Sequence, residues 1–383
     1  FNMPPARPDW RTHLREAWAH LSDGPNFEES TVTCKVIQWA TGGVGRAAIE
    51  YILAHPELEL VGCWVSSESK DGLDVGEIIG ADPVGVTATR DIDSLLALDA
   101  DCVLYSPVMA DRALVCRLLA SGKNVVTPLG WFYPGERDVS DLEGACAAGN
   151  STLHGTGIHP GGITERFPLM VSALTASITH VRAEEFSDIR TYGAPEVVGE
   201  IMLFGKTPEE AAASPMVHFL GDGFGQSMDM IASELGFALD PDPLSLHEVA
   251  VATAPIESPI GVIEPGRVAA QRFTWQRTVG GEPVITVRVN WFMGEEHLDA
   301  GWNFGPGGER FEVEVTGDPT SHVTFHGWHP ESVAAGLVRN PGIVATANHG
   351  VSAIPYVCRA EPGIKTYLDL PLIAGRAAPA LSM

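Results

Sequence analysis

Three glycines within four positions, Gly42, Gly43 and Gly45, follow the apolar run Cys34-Lys35-Val36-Ile37-Gln38-Trp39 and open a helix-forming stretch. Such a turn can cradle a pyrophosphate. Gly42 lets backbone amides approach phosphate oxygens, and Gly45 lets the helix sit close on the strand. Around Thr41, Gly43 and Val44 the helix N-terminus offers free N–H groups and a partial positive charge. The first glycine of the common G-x-G-x-x-G spacing is replaced by Ala40. A tight turn in some other α/β fold is the alternative. The second apolar strand that follows, Leu58 to Val65, favours dinucleotide binding.

The residues after that strand select the cofactor. A carboxylate there would hold both ribose hydroxyls and repel a 2′-phosphate. Instead Val65 is followed by Ser66 and Ser67, with Lys70 close behind. Hydroxyls and an ammonium suit a phosphate, so NADP(H) is expected, with NAD left open because Glu68 could turn in to a ribose. Further strand ends, Tyr105-Ser106-Pro107 and Thr127-Pro128, are expected near the ribose and nicotinamide. The loop Leu129-Gly130-Trp131-Phe132-Tyr133-Pro134 either walls an apolar substrate pocket or forms domain-interface core. Gly157 and His159 stand in a glycine- and proline-rich crossover beside the same edge, where His159 is a candidate catalytic or substrate-orienting residue. Glu165, Asp188, Tyr192, His297 and Trp302 are second-domain residues that could face the cleft, though each alone is more often structural. His322, His326 and His329 invite a metal reading. Strand positions four apart stand roughly 13 Å from each other, so no metal site is expected.

The elements that must position these groups read in order. Helices are expected at 91–98, 111–120 and 143–150, with strands at 101–105 and 124–128 between them. A helix follows at 163–176. From Ile178 the apolar period shifts toward two, with a strand at 178–186 continuing to Asp188, Arg190 and Tyr192, further strands at 248–253, 268–276, 284–292, 311–315 and 323–325, and helices at 208–213 and 224–235. Val279-Gly280-Gly281-Glu282 reads as a hairpin turn. The fold class is therefore α/β: an N-terminal Rossmann-like parallel sheet and a C-terminal α+β domain with a mostly antiparallel sheet. The boundaries read as an extension at 1–30, a dinucleotide-binding domain at 31–155, a substrate and dimerisation domain at 156–345, and a segment at 346–383 returning to the first domain. Trp10, Leu14, Trp18 and Leu21 mark an amphipathic helix in the extension, packed on its own domain or on a partner subunit, and 330–339 marks another helix.

Composition bounds the partners. The chain has 383 residues, 45% hydrophobic and 19% charged, with a net charge of −25. Nucleic acid and anionic membrane both need basic surface, so neither is expected. No apolar run reaches a membrane span and no signal peptide is read. Phe1-Asn2 precede Met3, the expected native start. Six cysteines without a C-x-x-C pair suit a reducing cytoplasm.

The residues Gln38-Trp39-Ala40-Thr41-Gly42-Gly43-Val44-Gly45, Gly155-Thr156-Gly157-Ile158-His159-Pro160-Gly161, Asp188 with Tyr192, Leu203-Phe204-Gly205, and the tail pieces Ala353-Ile354-Pro355, Pro362 to Thr366 and Asp369-Leu370-Pro371 occur in that order. In this the chain resembles the dihydrodipicolinate-reductase-like oxidoreductases, in their 2,4-diaminopentanoate dehydrogenase and native amine dehydrogenase branch. The resemblance implies NAD(P)H-dependent hydride transfer to an imine formed from a small ketone or aldehyde and ammonia, or the reverse oxidation of a primary amine. It also implies a homodimer through the second-domain sheet. The family's proton-shuttling glutamate would follow the Thr127 strand end, where this chain has Leu129-Gly130-Trp131-Phe132. Glu136 and His159 are the candidate replacements, and Tyr133 stands with them as a candidate at the reacting centre. A reductase of another carbonyl or imine, and a cofactor-binding sensor without catalysis, are the competing expectations.

Overall fold

The computed structural model describes residues 33–305, 309–327, 340–377 and 381. The expected helices at 10–21 and 330–339, and His329, lie outside the described residues.

Strand β1, Cys34–Trp39, carries Val36, Ile37 and Trp39 at 1% exposure or less, so both its faces are buried. Continuous apolar burial of this kind marks a parallel strand covered on both sides. β1 lies between β2 (Leu58–Trp64) and β4 (Cys102–Tyr105), parallel to both. The full sheet adds β3 (Ala88–Thr89) beyond β2, and β5 (Asn124–Thr127), β6 (Thr152–Gly155) and β15 (Gly363–Lys365) beyond β4. The chain leaves β1 toward β2 and returns to β4 on the other side. The carboxyl end of β1 is therefore the topological switch point, where such sheets bind ligands. Helix α1, Gly43–Ala54, starts at that point. The crossovers are α2 (Val75–Ile79), α3 (Ile92–Ala97), α4 (Arg112–Ala120) and α5 (Ser140–Gly149). The first three are capped by Asp74, Asp91 and Asp111, whose side chains accept first-turn amides.

The second sheet runs β14-β13-β7-β12-β11-β8. It comprises β7 (Ala176–Asp188), β8 (Leu244–Val251), β11 (Val268–Val279), β12 (Glu282–Phe292), β13 (Arg310–Asp318) and β14 (Ser321–Phe325). Every pair is antiparallel except β7 with β12. β11 and β12 join through Gly280-Gly281, both at positive φ (61° and 85°), as a two-residue hairpin turn requires. Register sets the faces. Glu185 lies opposite Val289 on one side and Phe311 on the other. It shares its face of β7 with Val181, Ala183 and Ser187. Helix α8, Met216–Leu235, covers this face with Phe224, Met228 and Ile231 packed on Phe273, Trp275, Val287 and Val289.

Between the sheets the single helix expected at 163–176 is instead a π-turn, Gly162–Arg166, followed by α6, Phe167–Ser172. Pro168 supplies no amide, which favours a fresh helix start there over a continuous ladder. α7 is Pro208–Ala212, and a small hairpin of β9 (Ile256–Ser258) and β10 (Gly261–Ile263) had no sequence signal. After the second sheet, α9 (Pro341–Cys358) crosses back onto the first. Its Val351 and Ile354 join the core under β1, and β15 pairs with β6 from Gly363↔Thr152 onward. Both sheets belong to one compact unit that begins at Cys34.

Candidate active site

The turn after β1 is held from three sides. Gln38 Nε2 donates to the Ala40 carbonyl at 3.0 Å and to Ser106 Oγ at 2.9 Å, tying the turn to the end of β4. Ala40 has φ of 76°, the left-handed region that glycine would adopt without strain. At Gly45 a Cβ would stand 2.1 Å from the Ala40 carbonyl oxygen, so only glycine lets α1 come this close. Gly42 is the extended N-cap of α1 and provides no side-chain cap, which leaves the first-turn amides open. A Cβ at Gly42 would meet nothing within 4 Å.

A cavity of about 380 Å³ opens onto these amides, lined by Ala40, Thr41, Gly42, Trp64, Ser66, Ser67, Lys70, Ser106, Pro107 and Val108. Lys70 Nζ donates to Thr41 Oγ1 at 2.9 Å, bridging from the loop after β2 to the glycine turn. Burial and then the neighbouring Arg46 guanidinium hold the Lys70 pKa below the ordinary lysine range. Arg46, which the sequence pattern did not single out, thus stands as a second cation beside Lys70. Glu68 is turned outward and pairs with Arg90 at 3.0 Å. Uncapped amides, hydroxyls and the Lys70 ammonium around one cavity, with Arg46 beside Lys70, fit a phosphate-bearing dinucleotide.

The other expected cofactor residues divide. Tyr105 is 1% exposed and its hydroxyl accepts the Asp111 amide at 3.0 Å, so its side chain supports the strand end from within the core. Val44 is partly buried in the same core as Ile49, and a Cβ at Gly43 would meet Ile343 of α9 at 3.2 Å. Thr127 is fully buried. Its Oγ1 accepts the Leu129 amide at 3.2 Å, and its carbonyl accepts the Thr156 amide at 2.8 Å. At Gly157 a Cβ would touch Pro160, Pro128 and Thr346, so strand end, crossover and α9 converge there.

Among the candidate catalytic residues, His159 has its ring between Phe224 and Phe311, with centroids 4.7 and 6.0 Å away. Neither ring nitrogen has a partner at hydrogen-bond geometry, and burial, partly offset by the nearby Arg288 backbone, pushes the imidazole down to about 3, so it is neutral. Tyr133 is half-buried and donates its amide to Gln226 Oε1 at 3.3 Å. Glu136 is exposed. The aromatic loop is mostly interface core: Phe132 is 2% exposed, near the point where a Cβ on Gly223 of α8 would lie, and Leu129 and Trp131 pack into the first-sheet core.

Two carboxyls on the second-sheet side gave no sequence signal of their own. Glu185 accepts a hydrogen bond from Trp291 Nε1 at 3.1 Å, and burial with the nearby Glu309 pushes it up to about 8. Glu309 is 7% exposed; it accepts from Ser187 Oγ at 3.2 Å and Asn340 Nδ2 at 3.4 Å, while its Oε2 has no partner. Burial raises it to about 7. Glu309 borders a cavity of about 720 Å³ whose wall also holds Asp188, Arg190, Glu257, Glu295, Glu296 and His297. Asp188 is paired with Arg190. Glu165, in the π-turn, is fully buried against Ser227 and raised to about 8 by burial.

Comparison with known proteins places this geometry. Residues 36–127 match the family described as dihydrodipicolinate reductase, N-terminus, and residues 164–380 match the 2,4-diaminopentanoate dehydrogenase C-terminal domain. An amine dehydrogenase of Streptomyces virginiae is 31% identical over 88% of this chain and 96% of its own length. A 2,4-diaminopentanoate dehydrogenase of Acetoanaerobium sticklandii is 24% identical over 57% of each. The structure of an amine dehydrogenase from Mycobacterium smegmatis shares the fold, with a TM-score of 0.72 at 21% identity, covering 90% of this chain and 97% of that one.

Proposed function

Since the chain belongs to the 2,4-diaminopentanoate dehydrogenase family of NAD(P)-dependent oxidoreductases acting on CH–NH2 donors, we propose that it is an NADP(H)-dependent amine dehydrogenase. Its substrates are a small ketone or aldehyde with ammonia, or the corresponding primary amine. The observation that carries the cofactor choice is Lys70, which reaches the glycine turn beside Arg46 while Glu68 points away. A strand-end carboxylate would exclude a 2′-phosphate; two cations attract one. The nicotinamide, when bound, supplies or accepts the hydride.

The chain's own residues bind, orient and exclude water. We assign cofactor binding to Thr41 to Gly45, Ser66, Ser67, Lys70, Ser106 and Pro107, with Thr127, Pro128 and Gly157 at the nicotinamide end. A neutral, unpartnered His159 ring supports a substrate-orienting part. Residues 31–155 with the segment 346–383 form the cofactor half in this reading, and 156–345 the substrate half. All six cysteines are free, in line with a reducing cytoplasm. The reading carries a homodimer through the second sheet, which light scattering checks.

A spectrophotometric screen of small ketones with NADPH, run with and without ammonia, tests the activity. Ammonia-dependent oxidation of NADPH is the expected outcome. Turnover that ignores ammonia points to a reductase of another carbonyl substrate. Tight NADPH binding without turnover points to a sensor.

A further inference from the structure

The strand-end position where the family's shuttling glutamate would stand holds Leu129-Gly130-Trp131, and Glu136 is exposed. We propose that Glu185, on the second sheet beside the cavity-lining Glu309, is the acid–base residue of this enzyme, with Glu309 as its positioning residue. The proposal rests on the amine dehydrogenase reading above.

The geometry runs through α9. Asn340 caps this helix by accepting the Ile343 amide at 3.0 Å. Ile343 rests on the glycine turn, 3.2 Å from where a Cβ of Gly43 would lie. The other end of the Asn340 amide donates to Glu309. Asn340 thus ties Glu309 to the first turn of the helix whose Ile343 rests on the glycine turn. Glu185 neighbours Glu309 on the same face of the sheet and lies directly across from Phe311, which also flanks His159. Trp291 fixes Glu185 Oε1, while Oε2 is neither bonded nor sealed among the described residues. Tyr192 also faces Glu185 and is raised by burial and by that carboxyl. Beyond them Glu309 Oε2 is buried and unpartnered. The ionisable groups felt at Glu185 are thus Glu309 and Tyr192, with Asp188 acting on Glu309.

Such a site can hold a cationic nitrogen and move its protons. In the amination direction the protonated Glu185 carboxyl gives its proton to the carbinolamine hydroxyl. The C–O bond breaks, water leaves, and the nitrogen lone pair forms the C=N bond of the iminium. In the oxidation direction the Glu185 carboxylate takes a proton from the substrate ammonium, breaking N–H and leaving the neutral amine. A carboxyl titrating near 8 can do both around neutral pH.

The test compares wild type, Glu185→Gln and Glu185→Asp in three assays: ketone plus ammonia, reduction of a stable cyclic imine, and NADPH binding by fluorescence. Glu185→Gln should lower ketone amination about 100-fold or more and remove the pH break near 8. Cyclic imine reduction should fall less than about tenfold and NADPH affinity should stay within about twofold, because neither needs that proton transfer. Glu185→Asp should keep the pH break at a reduced rate. Amination and a pH profile unchanged in Glu185→Gln overturn the proposal alone. A loss of NADPH binding equal to the loss of amination also overturns it, in favour of a structural role. A wild type that aminates no ketone overturns the underlying reading and the proposal with it.

Discussion

Lys70 is the residue on which the proposed cofactor choice turns. Its ammonium bridges to Thr41 and sits beside Arg46. A charge-assisted bond to a 2′-phosphate contributes about 1.5–3 kcal/mol, and NADH has no such phosphate. Lys70→Ala should therefore raise the Kd for NADPH roughly 10- to 100-fold and that for NADH less than about threefold. Equal losses, measured by fluorescence titration, would remove the NADP assignment. At this scale the sequence named Lys70 and could not name Arg46, whose proximity depends on how α1 leaves the turn. His159 shows the opposite case. Its place in the crossover was readable, but its aromatic neighbours Phe224 and Phe311 come from a helix and a strand more than sixty residues away.

One element, the strand–turn–helix from Cys34 to Ala54, combines packing and binding in neighbouring glycines. Gly45 and Gly42 should separate these two demands. In Gly45→Ala the new methyl meets a backbone carbonyl at 2.1 Å, which only movement of α1 can relieve. A loss of about 2 kcal/mol or more in stability is expected, with cofactor affinity falling alongside. Gly42→Ala meets no protein atom within 4 Å and sits at φ −73°, which alanine accepts. Its stability should stay within about 0.5 kcal/mol while NADPH binding weakens, because the methyl occupies the cavity mouth. Denaturant melts and cofactor titrations on both variants decide it. If Gly42→Ala binds NADPH as wild type does, the phosphates do not approach this turn.

For the molecule as a whole, buried titratable groups set an opposed pair of pH slopes. His154, His159 and His349 are pushed by burial to about 4, 3 and 3, well below the ordinary histidine value of about 6.5. The unfolded chain binds their protons first. Their contribution is complete above pH 6.5 and is lost as pH falls toward 3 to 4. Glu165, Glu185 and Glu309 are raised to about 8, 8 and 7, above the ordinary value of about 4.3. The folded chain keeps their protons longer. Their contribution is complete below about pH 4.3 and is lost as pH rises through 7 to 8. His55, His180 and His247 are also lowered by burial and add to the rising slope, so Tm should peak at about pH 6.5 and fall on both sides. The net charge of −25 adds self-repulsion on the alkaline side. A Tm that climbs steadily from pH 6 to 9 would show that the carboxyls are ionised in the folded protein.

The local elements were legible because their signals are short-range. A short, largely apolar run such as Val36 to Trp39, ended by a glycine turn, reads as a covered strand, and the period change after Ile178 announced the second sheet. Glycines 42, 43 and 45 point to a phosphate turn once the strand before them and the second strand after them are read with them. The crossover helix was misread as continuous, since Pro168 and the π-turn trade ladder bonds that no periodicity reports. The buried carboxyls of the second sheet were hidden for a different reason. Glu184 and Glu185 are adjacent in sequence, and strand geometry sends their side chains to opposite faces. Pairing with β12 and β13 makes Glu184 accept from Asn290 on one face, while Glu185 turns to Trp291 on the other. Glu309 acquires its neighbours only when α9 returns from the second sheet to the glycine turn. Sequence by itself determined the strand, turn and helix of the proposed cofactor site, because those residues interact within a few positions of one another. Which carboxyls come together on the second sheet was decided by the tertiary structure alone, through strand register and the crossing of one late helix.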